Sequence, residues 1–213
     1  MFITFEGPEG SGKSTQLKML ADRLTLSNYD VITVREPGGT IMGEAVRNIL
    51  QHDSCGPNIS PVAETLLFEA SRAQLIHEVI GPALAQNTIV LSDRFIDSTM
   101  AYQGYGRKFP LKDIEALNSF ATQELMPDIT ILLDLPVEAG FERIFKETKG
   151  KANLDRMERE SMNFHNRVAN GYRGLAAADN NHRFTTIDAN RSLEEVHEDV
   201  LAVVLLSLAS DDT

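Results

Sequence analysis

Gly7-Pro8-Glu9-Gly10-Ser11-Gly12-Lys13-Ser14, with the strand-like run Phe2-Ile3-Thr4-Phe5-Glu6 before it and the helix-forming Thr15-Gln16-Leu17-Lys18-Met19-Leu20-Ala21 after it, decides the fold. The eight residues match G-x-x-x-x-G-K-[ST] in full. The match falls where that pattern has physical meaning, at a sharp strand-to-helix turn whose free N–H groups and helix N-terminus point at one small volume. Gly7, Gly10 and Gly12 admit backbone angles closed to other residues and let the main chain approach phosphate oxygens. Lys13 is then expected to reach the β- and γ-phosphates and the Ser14 hydroxyl to ligate Mg²⁺. A glycine-rich turn that binds nothing is the alternative. The complete match, its position and the helix that follows favour a nucleoside polyphosphate.

The 213 residues suit one α/β domain, and 42% hydrophobic with 24% charged residues is enough for a sizeable core. One cysteine, Cys55, excludes an internal disulfide and fits a reducing, cytoplasmic setting. The polar turn begins within ten residues of Met1, so no signal peptide is expected, and Val200 to Leu206 is too short an apolar run to span a bilayer. A net charge of −11 argues against nucleic acid as a partner, because polynucleotide binders usually present a basic face.

Further strand-like runs follow at Val31-Ile32-Thr33-Val34, Thr88-Ile89-Val90-Leu91, Ile129-Thr130-Ile131-Leu132-Leu133 and, more weakly, Arg183-Phe184-Thr185-Thr186-Ile187. Helical patterns separate them. Ser60-Pro61 reads as an N-cap followed by proline at the first helical position, and Pro110 and Pro136 could open helices the same way. Met157 to Ala178 is a long amphipathic candidate, and Ser192 caps a last helix to about Leu208. Lys146 to Asn153 reads as a mobile polar loop. The alternation predicts a three-layer P-loop NTPase fold, with a five-stranded parallel sheet flanked by helices and a short lid at about 146–156.

Ligands of such sheets bind beyond the carboxyl ends of the strands. Asp93, ending the third strand, is placed to hold Mg²⁺ through water, and Arg94 beside it to face the transferring phosphate. Asp93 as a simple turn cap is the bland reading, and Asp134 is its rival for the acidic role. Arg35-Glu36-Pro37-Gly38-Gly39-Thr40 forms a sharp turn after the second strand, with Arg47 one to two helical turns on, facing either the site or solvent.

The ordered set Phe5 to Thr15, Arg35-Glu36-Pro37-Gly38-Gly39, Leu67-Phe68-Glu69-Ala70-Ser71-Arg72, Asp93 to Thr99, Ala101-Tyr102-Gln103-Gly104 and Pro127-Asp128 closely resembles thymidylate kinase of the bacterial type, from Phe2 to about Val196. The resemblance implies transfer of the γ-phosphoryl group of ATP to dTMP, with Mg²⁺, in a homodimer. It assigns ATP to Gly7, Pro8, Glu9, Gly10, Ser11, Gly12, Lys13, Ser14 and Thr15. Arg143 is expected over the adenine face and Ala189, Asn190 and Arg191 beside it. For dTMP it implies Phe68 stacked on thymine, Arg72 on a base carbonyl, and Gln103 and Thr99 at the base edge. Tyr102 is expected against the sugar, Glu9 on the 3′-hydroxyl, Arg47 and Arg94 on the phosphate, and Glu36 orienting the arginine cluster or its metal. Helix periodicity alone reads Phe68 as core. A cis peptide is expected at Glu36-Pro37. The P-loop carries Glu9-Gly10-Ser11 and no arginine, so the lid should supply one. The loop offers instead Lys149 or Lys151, or Arg156 from the next helix, and lysine lacks the bidentate fork.

Another nucleoside monophosphate kinase, a deoxynucleoside kinase, and a P-loop switch or motor ATPase are the other readings. No Asn-Lys-x-Asp guanine-reading tetrad occurs, and Lys13, Ser14, Asp93 and Arg94 together disfavour an inert scaffold.

Overall fold

The structure, a computed structural model, describes residues 1–51, 59–147 and 154–211. Five strands form one parallel sheet in the order β2-β3-β1-β4-β5: β1 Phe2–Glu6, β2 Val31–Arg35, β3 Ile89–Asp93, β4 Ile129–Asp134 and β5 Phe184–Asp188. The three continuous apolar runs take the centre, where both faces are covered. The more polar Val31–Arg35 and Phe184–Asp188 take the edges, where half the side chains meet water. Chain order reverses at β1, which opens a crevice between β3 and β4 above the P-loop. Phe5 pairs with Asp93 and Glu6 with Leu132, so the third strand delivers Asp93 level with the start of that loop.

One layer is α1 (Lys13–Leu26) and the final helix, α9 (Leu193–Asp211). Leu17, Leu20 and Leu24, spaced three and four apart, pack with Val196, Val200 and Val204 against Ile3, Phe5, Leu91, Ile131 and Leu133. Each fully buried leucine contributes roughly 2 kcal/mol. The opposite layer holds α2 (Ile41–Gln51), α3 (Pro61–Leu75), which runs through a wide π-type turn Ile76–Ile80 into α4 (Gly81–Ala85), then α5 (Ile96–Thr99), a second such turn at Met100–Gly106, α6 (Leu111–Thr122), α7 (Val137–Glu147) and α8 (Met162–Ala177).

Ser60 caps α3 as expected, its hydroxyl accepting from Ala63 N–H at 3.2 Å with Pro61 opening the helix. Ser192 and Glu195 close a reciprocal box at the start of α9. Two boundaries differ from the sequence reading. Pro110 and Pro136 each sit one position before the helix, and the Pro136 carbonyl accepts from Gly140 N–H at 3.1 Å. The long candidate from Met157 starts at Met162 instead. Asp155 and Glu158 bond each other's backbone N–H groups at 2.8 and 2.9 Å and close a separate turn, after which Ser161 caps α8. Lys146 belongs to the last turn of α7 rather than to a loop. Among the described residues no helix is long and apolar enough to cross a membrane.

Candidate functional site

The turn after β1 wraps around its own lysine. Lys13 Nζ donates to the carbonyls of Gly7 and Pro8 at 3.2 and 2.9 Å and to Ser11 Oγ at 3.3 Å. Gly7 has φ +142°, and a Cβ there would stand 2.5 Å from the Leu133 carbonyl of β4. Gly10 has φ +70° and lies against Gly140 of α7, so closely that a Cβ on either would overlap the backbone opposite. Glycine is required at both for the main chain to form the cradle. The Ser14 hydroxyl donates directly to Asp93. A hydroxyl and a carboxylate beside a phosphate cradle are hard oxygen donors that suit Mg²⁺, an ion that completes its shell with water and phosphate. Among the described residues no set of three or more His, Cys, Asp or Glu gathers as a metal cage. Asp134 instead faces Arg173, with both carboxylate oxygens 3.0 Å from its Nε.

Arg94 follows Asp93 with φ +75°, an unusual backbone for a side-chain-bearing residue, fixed by its N–H donating to the Phe5 carbonyl at 3.0 Å. Its guanidinium donates to both Glu9 oxygens at 3.1 Å, to Tyr102 Oη at 3.2 Å and to Gly7 O, Ser98 Oγ and Tyr172 Oη. Tyr102 donates to Glu9 at 2.5 Å. Burial pushes the Glu9 carboxyl up, but Arg94 and Lys13 outweigh it and hold the group down at about 2. Behind this cluster, buried Glu6 accepts from Phe95 N–H, Ser98 N–H, Ser98 Oγ and Tyr172 Oη, which fills its four lone-pair directions. Burial and the neighbouring Asp97 still push Glu6 up to about 7.

The opposite wall is built on Arg72. Every N–H of its guanidinium is engaged: Nε with Glu36 at 2.9 Å, one terminal nitrogen with Glu69 and Asn118, the other with Phe95 O and Thr99 Oγ1. The expected bond from Arg72 to a base carbonyl therefore requires an exchange of partner. Glu36 precedes a cis peptide to Pro37, as the resemblance implied. One oxygen each of Glu36 and Glu69 is buried with no partner among the described residues. Burial raises Glu36 to about 7 against the pull of Arg72. Arg47 donates to the Pro37 carbonyl at 2.9 Å.

Both walls enclose one cavity of about 890 Å³. Glu9, Lys13, Ser14, Thr15, Asp93 and Arg94 line one side; Glu36, Arg47, Phe68, Arg72, Thr99 and Gln103 line the other, with Tyr102 at the junction. Phe68 is only half-buried and opens onto this space, unlike a core side chain. Gln103 Nε2 donates to Glu64 at 2.9 Å.

At the far side of the cradle Arg143 donates to Gly10 O at 3.4 Å and Ala189 O at 2.9 Å, bringing together two of the residues expected around adenine. Asn190 N–H caps onto Asp188, and Arg191 turns away to Asp199 on α9. Arg156 also points elsewhere: it pairs with Glu64 at 2.7 Å and donates to Leu50 O at 2.8 Å. Lys149 and Lys151 lie outside the described residues.

Sequence reasoning gave no role to Glu6, Glu64, Arg107 or Asn118. Glu64 had a signal: Glu64, Phe68 and Arg72 are spaced by four and share one face of α3.

Residues 5–200 match the family model described as thymidylate kinase. A thymidylate kinase of Geotalea uraniireducens is 46% identical over 98% of each chain, and one of Kosmotoga olearia 44% identical over 98% of this chain and 97% of its own. A crystal structure of thymidylate kinase from Ehrlichia chaffeensis superposes with a TM-score of 0.75 at 36% identity, covering 96% of this chain and 98% of that one.

Proposed function

The chain belongs to the thymidylate kinase family, and from that premise we propose how the two walls of its cavity divide the work. As a thymidylate kinase it transfers the γ-phosphoryl group of ATP to dTMP, giving dTDP and ADP. The triphosphate lies along Gly7 to Thr15. There Lys13 exchanges the Gly7 and Pro8 carbonyls for phosphate oxygens, and Arg143 with Ala189 and Asn190 borders the adenine. Arg191 joins that border only by leaving Asp199.

The acceptor lies on the other wall. Phe68 stacks on the base, Thr99 and Gln103 meet its edge, and Tyr102 packs on the sugar. Glu9, held ionised, accepts from the 3′-hydroxyl. Arg94 and Arg47 clamp the phosphate, with Glu36 fixing the position of the arginine wall through Arg72. Arg72 reaches a base carbonyl by releasing a neutral partner, Asn118 or Thr99. Ser14 and Asp93 would hold Mg²⁺, which when bound neutralises charge on the phosphates. The acceptor phosphate is already a nucleophile, so the chain's part is in-line positioning, charge neutralisation and exclusion of water. Lys149 or Lys151 is the favoured lid cation, because Arg156 would first have to abandon Glu64.

The observation that carries this reading is the Ser14, Asp93 and Arg94 cluster facing Phe68 and Gln103 across one cavity. A panel of nucleoside monophosphates with ATP and Mg²⁺ tests it, dTMP being the expected best acceptor; a better purine acceptor would refute it. Exposed Ile41, Val62, Leu66 and Phe120 on α2, α3 and α6 support a homodimer, and light scattering on the same sample should give twice the chain mass. We place the enzyme in the cytoplasm, in keeping with its single cysteine.

A further inference from the structure

A glutamine can present its amide either way round, and the two orientations read opposite bases. With Oε1 forward it accepts from an N3–H and leaves an amide hydrogen for a carbonyl, the pattern of thymine. With Nε2 forward it donates to a bare N3 and accepts from an amino group, the pattern of cytosine. The side chain alone carries no preference.

In this chain something else does. Gln103 Nε2 lies 2.9 Å from Glu64 Oε1. Glu64 is 0% exposed and also receives Arg107 at 3.0 and 2.9 Å and Arg156 at 2.7 Å; Arg107 is itself held by Glu160 at 2.6 Å. Burial pushes the Glu64 carboxyl up, but the bonds from Arg107 and Gln103 and the two guanidinium charges hold it below the usual range. An ionised carboxylate only accepts. A flipped Gln103 would set its carbonyl oxygen against that carboxylate and lose the bond. The observed orientation commits Nε2 to Glu64 and leaves Oε1 as the other end of an amide on a residue that lines the cavity.

We infer that Glu64 is a specificity-setting positioning residue: it locks the Gln103 amide so that the site takes pyrimidines carrying N3–H and rejects those with a bare N3. This rests on Gln103 meeting the base edge, as proposed above. Glu64 touches no substrate. Its ties to Arg107 and Arg156 keep it an obligate acceptor.

The test is the ratio of kcat/KM for dTMP over dCMP in wild type, Glu64→Gln, Glu64→Asp and Gln103→Ala. An amide at position 64 can donate as well as accept, so Glu64→Gln should narrow the ratio by about tenfold or more, the effect of one mismatched buried hydrogen bond. Glu64→Asp, still an acceptor, should keep the ratio even where turnover falls. Equal losses for both acceptors in Glu64→Gln would mean a merely structural role and overturn the inference. Gln103→Ala separates the layers. An unchanged ratio there removes the base-reading role of Gln103 and the inference with it, whereas a narrowed ratio there beside an unchanged one in Glu64→Gln overturns the inference alone. Should Glu64→Gln not fold, neutron diffraction on deuterated wild-type crystals reads the same point: deuterons on the Gln103 atom facing Glu64 are expected, and an oxygen there refutes it.

Discussion

Glu9 stands in the phosphate cradle and Glu36 in the turn after β2. Both line the same cavity, yet Glu9 is held down at about 2 and Glu36 raised to about 7. Burial pushes both upward; at Glu9 the neighbouring cations outweigh it and at Glu36 they do not. What differs is the ratio of cations to carboxylates nearby. Lys13 and Arg94 surround Glu9, whereas one guanidinium, Arg72, serves both Glu36 and Glu69, each of which keeps a buried oxygen without a partner among the described residues. The cradle wall is set to stay charged and to meet charge. Around Arg72 two buried carboxylates share one guanidinium, and burial holds Glu36 up.

The largest effect expected from that contrast is on stability. Arg72→Ala leaves Glu36 and Glu69 buried and facing one another, and should lower the unfolding free energy by about 3–5 kcal/mol in urea denaturation. Arg94→Ala should act mainly on turnover, since the Glu9 pair is partly open to water. A loss below about 1 kcal/mol for Arg72→Ala would mean that the acceptor wall does not depend on its guanidinium to keep Glu36 and Glu69 buried.

The contrast also separates what could be read from the sequence. The cradle is contiguous in the chain, and its chemistry lies in main-chain geometry that glycine spacing reveals, so residues 7 to 14 announced it. The sheet was legible because its central strands are unbroken apolar runs. The acceptor wall is assembled from side chains far apart in sequence: Arg72 meets Glu36 across 36 positions and Asn118 across 46, and Gln103 meets Glu64 across 39. Periodicity says which residues share a helix face, as it does for Glu64, Phe68 and Arg72, but not which distant charge each will meet. Resemblance to a family named Arg72 and Gln103 as contacts; only the structure shows that Arg72 has every donor engaged and that Gln103 is held by a carboxylate. The start of α8 was missed for a local reason. Asp155 and Glu158 close their own turn before Ser161 opens the helix, and an amphipathic pattern runs through both.

Titration separates the two carboxylates a second way. The carboxyl of Glu36 moves from an ordinary 4.5 to about 7 on folding, so the folded protein binds the extra proton between those values. Its contribution to stability is fully present below about 4.5 and is lost as pH rises through 7. The sign is opposite for Glu9, whose contribution is present above 4.5 and lost only as pH falls toward 2. The difference in unfolding free energy between wild type and Glu36→Gln should therefore shift against wild type by ~3 kcal/mol between pH 4.5 and 8. A flat difference would show that Glu36 is ionised throughout and that Arg72 satisfies both carboxylates.

The smallest effect concerns whether Glu9 depends on its cations or on the phenol that touches it. Tyr102→Phe removes the 2.5 Å bond to Glu9 and the bond from Arg94, while the ring keeps its edge contacts with Phe164 and Tyr172 at 6.1 and 6.3 Å. Both Arg94 bonds to Glu9 remain, so the carboxylate stays paired and ionised. Stability should fall by only about 1 kcal/mol. KM for dTMP should rise a few-fold, and preference for the deoxyribose acceptor over its ribose counterpart should survive, because the ring and not the hydroxyl crowds the 2′ position. A loss of several kcal/mol would make the phenol, rather than Lys13 and Arg94, the group that keeps Glu9 charged. Collapse of the sugar preference would instead assign that discrimination to the hydroxyl.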